Sequence, residues 1–144
     1  MYQHLLLPID GSELSLGAAK AGIDLAKLCQ ARVYALHVIA PFHNIAYLGT
    51  LLAATEYAYS EEATTNAERY LADIRAIADA ANVPFHGQAT FGQPAETIVQ
   101  TAKEQQCDLV VMASHGWRGM TRLLLGSETQ KVLLSTDVPV LVYH

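Results

Sequence analysis

Apolar residues fall along this chain in two alternating forms: short unbroken runs, and longer stretches where they recur every three or four positions. The runs cover residues 5–9, Arg32–Ile39, 108–113 and 138–143, with a weaker alternating stretch at Phe85–Phe91. The first three in chain order end in turn residues: Asp10-Gly11-Ser12, Ala40-Pro41 and Gly92. Runs that are apolar on both faces suit strands of a parallel sheet covered by helices on each side.

The stretches between them have helical spacing. Ser12 is placed to cap a helix reaching about Gln30, with Ala18, Ala21, Leu25 and Leu28 expected on its inner face. A second helix over 56–81 carries Ala67, Tyr70, Leu71, Ile74, Ile77 and Ala78 at intervals of three and four. Pro94 suits the first position of a third, with Glu96 in its first turn and Ile98 and Ala102 inward. The fourth opens at Ser127, where Ser127 and Gln130 have the spacing of a capping box. Strand and helix therefore alternate from end to end. Right-handed crossovers turn that order into a doubly wound, Rossmann-like five-stranded parallel sheet with helices on both faces. Residues 41–55 are apolar without a period and read as a lid or loop over one sheet edge.

Composition narrows the class. The 144 residues suit one domain, 1–144, without a linker, and 51% hydrophobic against 16% charged residues excludes a disordered chain. A net charge of −5 repels phosphate backbones at long range, so no nucleic-acid partner is expected. The two cysteines, Cys29 and Cys107, sit in apolar surroundings and read as reduced thiols. Met1-Tyr2-Gln3-His4 has no basic leader and no segment reaches the ~20 apolar residues of a membrane span. The expectation is a cytoplasmic protein without a membrane partner. No pair of histidines has the spacing of a metal site.

In a doubly wound sheet, ligands sit beyond the carboxyl ends of the strands where strand order reverses. Two such ends carry candidate chemistry: Pro8-Ile9-Asp10-Gly11-Ser12, and Ala113-Ser114-His115-Gly116-Trp117-Arg118-Gly119 leading to Gly126-Ser127. Glycines let backbone amides approach an anion, and a helix N-terminus adds its dipole. Neither G-x-x-x-x-G-K-[ST] nor a G-x-G-x-x-G after the first strand is present. The same glycines would also serve simply to shape a long loop.

The set Ala113-x2-Gly116-x9-Gly126-Ser127 closely resembles the G-x2-G-x9-G-[ST] signature of ATP-binding universal stress proteins, with alanine at its first glycine. Leu6-Leu7-Pro8-Ile9-Asp10-Gly11-Ser12, Leu36-His37-Val38 and Val138-Pro139-Val140-Leu141-Val142 also fit, so the resemblance runs the length of the chain. It implies strand order 3-2-1-4-5 and a role in stress response. Adenine would be held by Pro8, Ile9, Asp10 and the Val38 backbone, and ribose would lie near Asp10 and Ala113. The phosphates would meet Gly116, Gly119, Gly126 and Ser127, with the Ser127 and Thr129 hydroxyls nearby. The implied ligand is ATP or ADP, with Mg2+ or Mn2+ carried by the phosphates.

Single residues keep two readings. Asp10 serves a ribose or organises its turn, and His115 touches a phosphate or fills the loop. Arg118 and Arg122 offset phosphate charge or are solvated. Glu128 opposes an anion unless it turns away, and it favours its own helix dipole. Trp117 reads as exposed or partner-facing. No catalytic residue stands out: a base, a lysine for the outer phosphates and an acidic metal pair are missing, which leaves slow ATP hydrolysis at most. A nucleotide-free interaction module of the same fold is the alternative. In the implied order, 138–143 is an apolar edge strand, the pairing template for a homodimer.

Overall fold

The computed structural model describes residues 1–42, 53–117 and 124–144. Its elements are β1 (His4–Ile9), α1 (Glu13–Cys29), β2 (Arg32–Ile39), α2 (Ala53–Ala81), β3 (Phe85–Phe91), α3 (Pro94–Glu104), β4 (Leu109–Ala113), α4 (Ser127–Ser135) and β5 (Val140–Tyr143). All five strands are parallel, in the order β3-β2-β1-β4-β5. The expected topology is therefore the observed one.

Strand alternation divides the interior into two layers. Leu5, Leu7, Ile9, Val33, Ala35, Leu109 and Val111 pack against Ala19, Ile23 and Ala26 of α1 and Ile74 and Ala78 of α2. Leu6, Tyr34, Leu36, Val110 and Met112 face Ile98 and Ala102 of α3 and Val132 of α4. Cys107 lies in this second layer, and burial, reinforced by the neighbouring Asp108, pushes its thiol up to about 11, so it stays protonated near neutrality.

Several local expectations shift. The inner face of α1 is Ser15, Ala18, Ala19, Gly22, Ile23 and Ala26, while Leu28 is exposed and Ala21 and Leu25 are half-buried. Small residues win the face because the helix lies close on the sheet: a Cβ at Gly22 would stand 2.5 Å from a Leu7 methyl. The fourth strand starts at Leu109, because the Asp108 carboxylate accepts the Gln3 and His4 amides (2.7 and 3.0 Å) at the entry to β1. The fifth begins at Val140, after a turn in which the Thr136 hydroxyl accepts the Val138 amide. Residues 53–55 belong to α2, and 43–52, the bulk of the expected lid, lie outside the described residues.

Candidate functional site at the β1–β4 switch point

The site begins with a proline inside a central strand. Within a strand, successive backbone groups point to opposite neighbours. Gln3 O accepts from Arg32 of β2 and His4 O from Asp108, beside β4, so the even residues of β1 face β4. Pro8 is one of them, and it has no N–H to offer. Pairing of β1 with β2 continues to Ile9↔His37, whereas pairing with β4 ends at Leu6↔Val110. The two central strands thus part at their carboxyl ends, just where their connections leave toward opposite faces. By the same alternation, counted from Arg32, the Val38 carbonyl points toward β1 past the last β1–β2 pair. The Ile9 carbonyl is engaged, accepting His37 Nδ1–H at 2.8 Å.

The first loop is tightly organised. Ser12 caps α1, its hydroxyl accepting the Ser15 amide (3.2 Å) and donating to Asp10 Oδ1 (2.6 Å). Asp10 Oδ1 also accepts the Ser12 amide, and the Asp10 amide donates to Ser15 Oγ (3.0 Å). Asp10 therefore does organise its turn. Its other oxygen, Oδ2, has no hydrogen-bond partner among the described residues and lies against Gly116, where a Cβ would come within 2.3 Å of it. Trp117, though 69% exposed, donates its indole N–H to the Asp10 carbonyl (2.7 Å). The loops after β1 and β4 are thus joined at Asp10. Neither Ser15 nor Trp117 was evident as part of this junction: the Ser15 bond depends on how tightly the turn after β1 folds back on α1, and the Trp117 bond joins loops 107 residues apart, which sequence spacing does not report.

The second loop hangs α4 on the end of β4. The Ser114 amide donates to Tyr143 O, the Gly126 amide to Ser114 O (2.7 Å), and the buried Thr129 hydroxyl to Ala113 O (2.9 Å). Ala113 stands with Leu109 and Val111 on the α1 side of β4 and is 9% exposed. Gly126, not Ser127, is the N-cap of α4, and no side chain caps it. The expected capping box is absent because Ser127 is already the first helical residue, while Gln130 reaches back to the Leu125 carbonyl (2.7 Å). The amides of Ser127, Glu128 and Thr129 therefore lack intrahelical partners, and the dipole adds partial positive charge there.

Glu128 turns away from this end. One carboxylate oxygen accepts the Ala95 amide (3.0 Å), supplying α3 with the cap that Gln93 does not provide, and the other pairs with Lys131 (3.1 Å). His115 is half-buried and donates Nδ1–H to the Gly116 carbonyl (3.2 Å). Arg118, Gly119 and Arg122 lie outside the described residues. The structure thus brings Pro8, Ile9, Asp10, Val38, Ala113, His115, Gly116, Gly126, Ser127 and Thr129 to one end of the sheet. It commits the Gly126 amide and the Glu128 carboxylate to structural bonds. Among the described residues no group of three His, Cys, Asp or Glu side chains is placed to hold a metal ion, and no helix is long and apolar enough to cross a membrane.

The profile of the universal stress protein family matches residues 1–144. Universal stress protein MJ0531 of Methanocaldococcus jannaschii is 34% identical over 144 residues, spanning 99% of this chain and 82% of the relative. The solved structure of hypothetical protein MJ0577, from the same organism, superposes with a TM-score of 0.85 at 28% identity, covering 99% of this chain and 96% of that one. A universal stress protein crystallised in complex with cAMP shares the fold, with a TM-score of 0.70 at 24% identity over 99% of this chain and 97% of that one.

Proposed function

Since the chain belongs to the universal stress protein family, we propose that it is a nucleotide-binding stress-response protein whose ligand is ATP. The observation that carries this reading is the uncapped N-terminus of α4, at the reversal point of the sheet, beside a glycine that holds no side chain over it. The binding of cAMP by a protein of the same fold supports a nucleotide as the ligand class. Phosphate oxygens would be held by the Ser127, Glu128 and Thr129 amides, with Gly116 and Gly126 permitting approach and Gly119 and Arg118 contributing from their loop. Asp10 Oδ2 would accept a ribose hydroxyl, and the Val38 carbonyl would accept the adenine amino group, with Pro8 and Ile9 against the base. Ala113 and Thr129 position the α4 end, and His115 walls the loop. A bound Mg2+ or Mn2+ would neutralise phosphate charge, held by the phosphates themselves.

Added ATP with Mg2+ is expected to raise the melting temperature. At a hundredfold excess over Kd, mass action stabilises the fold by about 2.7 kcal/mol, which is on the order of 5–10 °C for a chain of this size. Scanning fluorimetry reads this directly, and no shift at millimolar ATP would remove the proposal.

The chain would act as a homodimer joined through residues 138–143. β5 is an edge strand, and its Leu141 side chain is partly exposed. Pro139 O and Tyr143 O bond toward β4, so the backbone groups of Leu141 also turn toward β4 and the outward amides are those of Val140 and Val142. Val142→Pro removes an outward donor and leaves the β4 ladder intact. Light scattering should give twice the 15.6 kDa chain mass for the parent protein and a single chain mass for the variant. A monomeric parent would refute the dimer.

A further inference from the structure

The opposite edge of the sheet carries a second feature that nucleotide binding does not use. Among the described residues β3 pairs only with β2. Pro84 O and Gly92 N bond toward β2, so the odd residues Phe85, Gly87, Ala89 and Phe91 turn their N–H and C=O groups outward, with no strand beside them among the described residues. Beside this edge runs a groove of about 440 Å³ between β3 and α3, walled by Gln88 and Thr90 on one side and Glu96, Gln100 and Glu104 on the other. Its floor holds Thr101, which is only 8% exposed yet makes no side-chain hydrogen bond among the described residues. No fully buried side-chain N or O atom lacks a partner among the described residues, so this hydroxyl opens into the groove, where an entering polar group can meet it.

The groove has a direction and a charge. Gly92, just past β3, packs on Thr97 at the start of α3, whereas Gln88 accepts a hydrogen bond from Tyr34, whose phenol pKa is raised by burial and by the charges of Cys107 and Glu104. Glu96 therefore stands at one end and Glu104 at the other. Eight helical residues separate them by about 12 Å. In an extended strand, residues four apart face the same way and lie about 13 Å apart. Among the described residues the groove's lining holds no lysine or arginine.

We propose that the β3 edge and this groove take an extended peptide segment by strand addition, with lysine or arginine at two positions four residues apart that pair with Glu96 and Glu104. The outward backbone groups of β3 supply the ladder, and the carboxylate spacing selects the basic residues. The residue midway between the two bases lies over Thr101, where a polar side chain meets its hydroxyl.

The test uses a fluorescein-labelled nonapeptide of alternating threonine and valine, with threonine at its first, fifth and ninth positions and lysines at its third and seventh, followed by anisotropy with the 144-residue chain. Saturable binding is expected. The double variant Glu96→Gln with Glu104→Gln should weaken it about tenfold, the effect of losing two charge pairs. Asp24→Asn with Asp73→Asn, which removes the same charge from exposed positions on α1 and α2, should leave it unchanged. Amide exchange at Phe85, Gly87, Ala89 and Phe91 should slow when the peptide binds. Absence of binding, equal weakening by both double variants, unaltered exchange on β3, or equal affinity for a peptide with lysines three apart would each overturn the proposal.

Discussion

Gly11→Ala is expected to lower the melting temperature by about 10 °C, from a loss of about 3 kcal/mol at a few degrees per kcal/mol for a chain of this length. Two effects add. Gly11 has φ +83°, a left-handed conformation that costs an L-residue about 1–2 kcal/mol. A Cβ built there would also stand 2.2 Å from Tyr70 Cζ and 2.5 Å from both Cε atoms, in the middle of a stiff ring. That ring cannot move freely, since it stands T-shaped against the His37 ring, their centroids 5.4 Å apart, and lies under the Arg69 guanidinium. In a Tyr70→Ala background the same substitution should cost only the backbone part, about 1–2 kcal/mol. Chemical denaturation of the four proteins closes the cycle. An equal cost in both backgrounds would mean that the ring is not the obstacle. Gly11 lies between Asp10 and Ser12, so the strained turn should also loosen the carboxyl end of β1, where the proposed nucleotide site lies.

Gly126→Val has the opposite signature, with a large effect on ligand and a small one on folding. Gly126 has φ −60° and ψ 154°, which any residue adopts, so no backbone strain arises. A Cβ would meet His115 Cα at 3.1 Å, with His115 Cβ and Ser114 O at 3.3 Å. These contacts are close enough to need a small shift, worth about 1 kcal/mol. The valine methyls, however, occupy the approach to the Ser127 and Glu128 amides. Two charge-assisted hydrogen bonds to phosphate, at about 1.5 kcal/mol or more each, correspond to roughly a hundredfold rise in the Kd for ATP. Calorimetric titration of parent and variant measures it, with Gly126→Ala expected in between. Unchanged affinity in the valine variant would place the phosphates away from α4.

Much of this molecule is written in local pattern. Unbroken apolar runs at β1, β2 and β4 announce buried parallel strands, since only helices on both faces make both sides of a strand apolar. The Ser12 cap, Pro94 at the start of α3 and the three-and-four spacing from Ala67 to Ala78 are likewise one-dimensional signals. The two glycine-bearing strand ends could be picked out as the candidate site because any switch point collects the loops of its central strands.

What the chain pattern does not carry is which polar group meets which across the sheet. Glu128 reads as a first-turn acid of its own helix, yet it caps α3 through Ala95. Gly126 reads as an amide for phosphate, yet its N–H is held by Ser114. Trp117 reads as exposed or partner-facing, and it is exposed, but its indole also closes onto the Asp10 carbonyl from 107 residues away. Pro8 is legible as a residue in a strand, but its effect depends on which neighbour its missing N–H faces, and that is set by register. The periods of helix and strand arise from backbone geometry repeated residue by residue, so they survive in the sequence. Hydrogen bonds between distant loops depend on the packing of whole elements, so only the tertiary structure decides them.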